Sequence, residues 1–104
     1  MKYRRIEGAT KLEAFIEPML AQTTDRKAFS DKDWVFEVKW DGYRAVAEVS
    51  KNAVKLYSRN GLSFAKAYPR VYEALASLKK EMVIDGEIVV FDENGKPSFQ
   101  KLQN

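Results

Sequence analysis

Four segments of the chain have the composition and alternation of β-strands. Residues 34–40 alternate strictly between large apolar and other side chains, which predicts a strand with one charged face. Residues 45–49 and 53–58 are β-rich segments on either side of a turn at 50–52, so they predict an antiparallel meander. Residues 82–92 form a longer β run that a turn signal closes.

Helical signals lie before, between and after these strands. Thr10 and Glu13 form a capping box that predicts a short helix over residues 10–17, and apolar residues at helical spacing follow Pro69. A third helix is expected to open at Pro97 and Ser98. The combined pattern favours an α+β fold, in which helices pack on an antiparallel β-sheet.

The amino-acid composition excludes several classes of protein and of catalytic chemistry. The 104 residues, 45% of them hydrophobic, suffice for one modest core, and no apolar run or leader resembles a membrane span or signal peptide. We therefore expect a cytoplasmic chain with no membrane partner. Cysteine and histidine are absent, which removes disulfides, thiolate nucleophiles, histidine bases and most zinc sites. The net charge of +3 alone does not indicate nucleic-acid binding.

Charged residues interrupt the hydrophobic segments at three places, and the first is residues 37–44. Lys39 is a candidate nucleophile if neighbouring cations or desolvation lower the pKa of its amine, and Arg44 and Arg59 are the candidate cations. The alternative is an edge strand with a charged face, followed by a hairpin turn at residues 41–42.

The second place is the strand end at residues 57–61. A guanidinium at Arg59, next to the exposed backbone N–H groups of a turn, would suit a phosphate. The alternative is an ordinary Asn-Gly turn that carries a solvated arginine.

The third place is the apolar strand that contains Asp85 and Glu87. These carboxylates are two residues apart and therefore project to the same side, where they could bind Mg²⁺ or accept hydrogen bonds from ribose hydroxyls. The alternative is that they are structural ion-pair partners for arginines.

Together, the three segments resemble the nucleotidyltransferase motifs of ATP-dependent DNA ligases. Residues 39–44 match the K-x-D-G-x-R signature, residues 58–61 match S-R-N-G, and residues 85–88 match the D-G-E strand motif. Residues 17–21, 34–39 and 97–103 also resemble the ligase domain of bacterial non-homologous end-joining proteins. The resemblance implies the N-terminal part of the ATP-grasp-like nucleotidyltransferase fold of DNA ligases.

The resemblance also implies a mechanism. The lysine that matches the motif, Lys39, would attack the α-phosphate of ATP and hold AMP as a phosphoramidate. AMP would then pass to the 5′-phosphate of a DNA nick, which the 3′-hydroxyl seals. Such chemistry needs neither histidine nor cysteine, in agreement with the composition.

The remaining site residues are assigned from the same resemblance. Glu37 is expected near the adenine amino group, Glu87 near the ribose hydroxyl or a metal ion, and Arg44 and Arg59 near the ribose and phosphates. Supporting roles fall to Asp41, Gly42 and Asp85: Asp41 orients the nucleophile region and Gly42 permits a tight turn.

Cofactors and partners follow from the family. They are ATP with Mg²⁺ or Mn²⁺, nicked or broken double-stranded DNA, and in the parent protein a Ku-type end-binding protein and fused polymerase or nuclease domains. Residues 1–104 are expected to be the N-terminal portion of an adenylation domain, inactive alone, since the later motifs and the oligonucleotide-binding (OB-fold) domain are absent. A bacterial, nucleoid-associated setting is implied. The alternatives are an RNA ligase, an mRNA-capping-type nucleotidyltransferase or a non-catalytic nucleic-acid-binding module.

Overall fold

A computed structural model describes residues 16–104. The chain order of the elements in this part is β1 (Tyr43–Val49), β2 (Val54–Ser58), α1 (Pro69–Ala76), β3 (Met82–Ile88) and α2 (Phe99–Gln103). The strands form one antiparallel sheet in the order β2-β1-β3. The predicted α+β fold, with helices packed on an antiparallel sheet, is confirmed. Within the described residues, neither helix has the length and apolar character that a membrane crossing requires.

β1 is the central strand, and its two faces have different environments. Its odd-numbered residues pack into the main hydrophobic core together with Leu56, Ile88 and Leu102. Its even-numbered face contains Val46, which forms a second small cluster with Tyr57. The main core therefore lies on one side of the sheet. On the other side, charged side chains lie near the start of β1.

The predicted meander between β1 and β2 is confirmed. Val49 is paired with Val54, and the turn between them is closed by a hydrogen bond of 2.8 Å from the Ser50 N–H to the Ala53 carbonyl. The Ser50 hydroxyl also donates to that carbonyl, at 3.0 Å. Because these bonds satisfy the polar groups of the turn locally, the strand register is fixed at this end.

The two helices also begin where the sequence predicts. Pro69 occupies the first turn of α1, and the Ser98 hydroxyl caps α2 by accepting a hydrogen bond from the Lys101 N–H. The predicted β run over residues 82–92 is shorter, because regular pairing ends at Ile88 and only an isolated bridge joins Phe91 to Pro97.

The strand predicted over residues 34–40 is wrong. This segment has no regular secondary structure, and its apolar side chains are exposed, among them Val35 and Val38. Alternation specifies which face a strand would bury, but a strand also needs a hydrogen-bonded neighbour, and within residues 16–104 this segment pairs with neither sheet edge. The helix predicted over residues 10–17 falls mainly on residues outside the described part.

Gly42 lies where β1 approaches the end of β3. A Cβ atom at this position would collide with the Ile88 carbonyl oxygen and lie 2.8 Å from Val89 Cγ1. Gly42 lies in a bend without a positive φ, and the close approach of the strand backbone is what favours a glycine here. In contrast, a Cβ at Gly86 would meet no atom within 4 Å.

We expect Gly42→Ala to destabilise the fold by about 1–3 kcal/mol, because the added methyl group must displace strand backbone. Gly86→Ala is the matched control, and its stability should stay within about 0.5 kcal/mol of wild type or rise slightly, since alanine loses less entropy than glycine in a strand. Urea unfolding of the two variants tests this. Equal losses at both positions would contradict the steric explanation.

The phenol of Tyr57 is buried on the face of the sheet that also contains Val46. Burial raises its pKa to about 12, and Glu48 adds to this effect while the hydrogen bond from the Ile16 N–H opposes it. Below pH 10 the phenol is protonated in both the folded and the unfolded chain. Between about pH 10 and 12 only the unfolded chain releases the proton, so folding stability falls as the pH rises.

The wild-type chain should therefore lose on the order of 2 kcal/mol more stability than Tyr57→Phe between about pH 8 and pH 12. The measurement is urea unfolding of both proteins across this range. An identical pH dependence for the two proteins would show that the Tyr57 phenol does not contribute.

Candidate active site

The first of two clefts, called here the lysine cleft, lies at the charged side of the sheet. It has a volume of about 690 Å³, in the range of small-molecule sites. Its lining residues come from the irregular segment before β1, from β1 and from β3: Ala21, Glu37, Val38, Lys39, Trp40, Arg44, Asp85, Gly86 and Glu87. Five predicted site residues are therefore brought together, although the strand predicted to carry Glu37 and Lys39 does not form.

The second cleft, called here the aromatic cleft, lies at the end of the sheet where β1 begins. It has a volume of about 480 Å³. It is lined by Gly42, Tyr43, Arg44, Ser58, Arg59, Asn60, Leu62, Phe64, Glu87 and Phe99. Arg44 and Glu87 line both clefts, so this pair forms their common boundary. Asp41 lines neither cleft and is exposed to solvent.

The pairing of β1 with β3 places these charged residues together. Arg44 lies directly opposite Glu87, and Val46 lies opposite Asp85. Because side chains two residues apart in a strand point to the same side, Arg44, Asp85 and Glu87 share one face. That face is opposite to the one that packs into the main core. Asp85 and Glu87 are exposed to solvent there, so their charges cost little desolvation.

Arg44 makes a bidentate ion pair with Asp85. Its Nε and Nη2 donate to the two carboxylate oxygens of Asp85, both at 2.7 Å. The hydrogen bond to Asp85, assisted by the charges of Asp85, Glu87 and Glu37, raises the pKa of the Arg44 guanidinium. The same hydrogen bond is the main cause that lowers the pKa of the Asp85 carboxyl. Asp85 thus follows the ion-pair alternative considered for the two carboxylates.

Glu87 differs from Asp85. Within residues 16–104 it forms no ion pair, although it faces Arg44 across the strand pair. Its carboxylate lies at the boundary of both clefts. Of the two cations expected near Lys39, Arg44 shares its cleft but is paired with Asp85, whereas Arg59 lines the other cleft.

Comparison with known proteins identifies the family of the chain. Residues 18–104 match the family model described as the ATP dependent DNA ligase domain. The chain belongs to this ligase family.

Relatives of this ligase-family chain include large bacterial proteins. It is 38% identical over 98 residues to the multifunctional non-homologous end joining protein LigD of Pseudomonas aeruginosa, covering 93% of the chain and 11% of that protein. It is 40% identical over 90 residues to the corresponding DNA repair protein LigD of Mycobacterium tuberculosis, covering 86% of the chain and 12% of that protein. The chain thus spans about a tenth of the length of these relatives.

Solved structures give the same fold. The crystal structure of the ligase domain of M. tuberculosis LigD superposes with a TM-score of 0.58 at 41% identity, over 64% of the chain and 23% of that domain. A mycobacterial DNA ligase D complexed with ATP and MES gives the same values. The nucleotidyltransferase fold expected from the motifs is therefore confirmed.

The S-R-N-G motif of this ligase-family chain forms a closed turn. The Ser58 hydroxyl accepts hydrogen bonds from the N–H groups of Asn60 and Leu62, at 3.2 and 3.1 Å. The Gly61 N–H donates to the Ser58 carbonyl at 2.9 Å, and Gly61 has a φ of 82° that favours glycine. The N–H groups of Asn60, Gly61 and Leu62 are thus used within the turn and do not face a ligand. The guanidinium of Arg59 remains available in the aromatic cleft.

Several aromatic residues that line the clefts were not predicted as site residues. Trp40 lines the lysine cleft and packs edge-to-face on Phe91, with ring centroids 6.1 Å apart. Tyr43 contacts Phe99 in the same way, at 5.0 Å, and both line the aromatic cleft. Aromatic residues at predicted strand ends were the available signal, but the alternation assigned Trp40 to the side opposite Lys39.

Removing the Ser58 hydroxyl should open the turn that carries Arg59. We expect Ser58→Ala to lower stability by about 1 kcal/mol and to speed hydrogen exchange at the Asn60 and Leu62 amides. Ser63→Ala is the control, because the Ser63 hydroxyl accepts a single bond, from the Ala65 N–H at 3.3 Å. Unchanged exchange at Asn60 and Leu62 in Ser58→Ala would contradict this account of the motif.

Proposed function

We propose that this chain supplies the lysine nucleophile and the first nucleotide-binding strands of an ATP-dependent DNA ligase of the bacterial end-joining type. The observation that carries the proposal is the lysine cleft, in which Lys39 meets Glu37, Arg44 and Glu87. Lys39 and Arg44 belong to the first motif and Glu87 to the third, whereas Glu37 precedes the first motif. Their convergence in one cleft supports a shared chemical role.

In the proposed reaction, the unprotonated Lys39 amine attacks the α-phosphorus of ATP. A nitrogen–phosphorus bond forms, and the bond from the α-phosphorus to the bridging oxygen breaks, so that pyrophosphate leaves. The attack makes the nitrogen positively charged, and it then releases one of its two protons to solvent. AMP is thereby held on Lys39 as a phosphoramidate. Arg44 lies in the same cleft, so its free N–H groups are suitably placed for the ribose or phosphate oxygens.

The other residues receive roles that fit their positions. Glu37 lines the lysine cleft, where its carboxylate would accept a hydrogen bond from the adenine amino group. Glu87, at the boundary of the two clefts, would bind the ribose hydroxyl or a metal ion, and Arg59 would contact phosphate in the aromatic cleft. Asp41, Gly42 and Asp85 act by shaping the segment around Lys39 and Arg44.

Mg²⁺, or Mn²⁺, is the metal that this chemistry would use. Within residues 16–104 no group of three or more acidic side chains could hold an ion alone. Mg²⁺ is commonly held by one or two carboxylates together with substrate phosphates. The carboxylate of Glu87, which forms no ion pair with the residues that the structure describes, fits that arrangement. When bound, the ion would neutralise charge on the transferring phosphoryl group.

The proposed DNA substrate is a nick or break in double-stranded DNA, to whose 5′-phosphate AMP passes before the 3′-hydroxyl displaces it. We propose that the 104 residues form the front part of the adenylation domain, and that the remaining catalytic groups and the DNA clamp lie elsewhere in the parent protein. From the similarity to the end-joining ligases, we also propose that the parent protein has fused polymerase or nuclease domains and is recruited by a Ku-type protein. A bacterial, nucleoid-associated location is proposed for the same reason.

A chimera tests the proposed nucleophile. Residues 18–104 of this chain replace the matching segment of the M. tuberculosis LigD ligase domain, and the protein is incubated with α-labelled ATP and Mg²⁺. We expect an acid-labile protein adduct that falls by at least about a thousandfold in Lys39→Arg, because the guanidinium is a very poor nucleophile. Lys51→Arg, in the exposed β1–β2 turn, is the matched control and should retain the adduct.

An adduct that survives in Lys39→Arg would refute the assignment. Replacing ATP by GTP, and nicked DNA by RNA ends, separates a DNA ligase from a capping enzyme or an RNA ligase. The 104-residue chain alone should give no adduct, since it is proposed to lack part of the machinery. An AMP mass increment on the isolated chain would show that these residues are sufficient.

A further inference from the structure

Two carboxylates on β3 are within reach of Arg44, and the choice between them is unexpected. Glu87 lies directly opposite Arg44 in the strand pair, whereas Asp85 lies on the diagonal, opposite Val46. Directly opposed side chains are the closer pair in an antiparallel ladder. Nevertheless, both hydrogen bonds from Arg44, at 2.7 Å each, go to Asp85.

The consequence concerns which groups face the clefts. An arginine has five N–H donors, and the Asp85 pair uses two of them, from Nε and Nη2. The Nη1 edge of the guanidinium remains for another acceptor. If Arg44 paired with Glu87 instead, the pair would neutralise the two side chains that line both clefts.

We propose that Asp85 is a positioning residue that holds the Arg44 guanidinium away from Glu87, so that Arg44 and Glu87 act on the nucleotide as separate groups. That a nucleotide is the ligand rests on the proposed function. That Asp85 holds Arg44 away from Glu87 rests on the geometry of the three side chains. Asp85 itself does not touch the reacting atoms. Its role is to prevent an ion pair that would form inside the site.

The geometry can be tested without any ligand, by NMR of the arginine Nε–H group in the full 104-residue chain. We expect Asp85→Ala to shift the Arg44 Nε–H signal, because its hydrogen bond to Asp85 is replaced by another environment, and Asp85→Asn, which removes the charge but keeps the side-chain shape, to shift it as well. Glu87→Gln should leave the signal unchanged in the wild-type background. Glu93→Gln, which removes the exposed partner of Lys101, is the matched control for loss of a carboxylate.

The decisive step is the double variant. Once Asp85 is removed, Arg44 is expected to turn to Glu87, so Glu87→Gln should now move the Arg44 signal in the Asp85→Ala background. A non-additive result of this kind supports the proposal. A shift on Glu87→Gln alone, or no shift on Asp85→Ala, would overturn it, and additivity would show that Asp85 does not hold Arg44 away from Glu87.

A functional readout distinguishes positioning from simple strand stabilisation. In the ligase chimera, Asp85→Ala should raise the KM for ATP by about tenfold, the loss expected from one well-placed charged hydrogen bond. The charge swap Arg44→Asp with Asp85→Arg should restore thermal stability but not KM, because the guanidinium then extends from the other strand. Restoration of both would indicate a purely structural pair and overturn the proposal. If the chimera forms no Lys39 adduct at all, the proposed function fails while the NMR cycle still decides the role of Asp85.

Discussion

The register between β1 and β3 is the constraint on which the site depends. Side chains alternate between the two faces of a strand, so a slip of one residue would move Asp85 and Glu87 to the core side and bring Ile84 and Ile88 to the clefts. Burial of Ile88 in the main core opposes such a slip. The close packing of Gly42 against the backbone of Ile88 adds a steric restraint at the same end of the strands. Hydrophobic packing on one face therefore positions the charges on the other.

The charged side chains that line the clefts are kept distinct from one another by the Arg44–Asp85 ion pair. Asp85 takes up one edge of the Arg44 guanidinium, and the bidentate geometry fixes its direction more firmly than a single hydrogen bond would. The pair is partly exposed, so its contribution to stability is modest, and its main effect is orientation. Glu87 remains at the junction of the lysine and aromatic clefts. A nucleotide would then meet a cation and an anion at neighbouring positions.

Local patterns predicted much of this fold because the interactions concerned are themselves local. The β1–β2 turn depends on Ser50 and its neighbours, and both helix starts depend on residues within one turn. The segment over residues 34–40 was predicted incorrectly because a strand requires a partner, which alternation does not specify. The S-R-N-G turn shows the same limit on a smaller scale, since the residue types do not reveal that Ser58 consumes the turn amides. The motifs predicted which residues form the site, but only the hydrogen bonds from Arg44 distinguish Asp85 from Glu87.

The most direct test of this account is the β1–β3 register in solution. Cross-strand nuclear Overhauser effects in the isotopically labelled 104-residue chain would measure it, with backbone protons of Arg44 read against those of β3. The structure predicts contacts from Arg44 to Glu87 and from Val46 to Asp85. Contacts from Arg44 to Gly86 or Ile88 as its directly opposed partner would contradict the account, because the carboxylates would then point into the core.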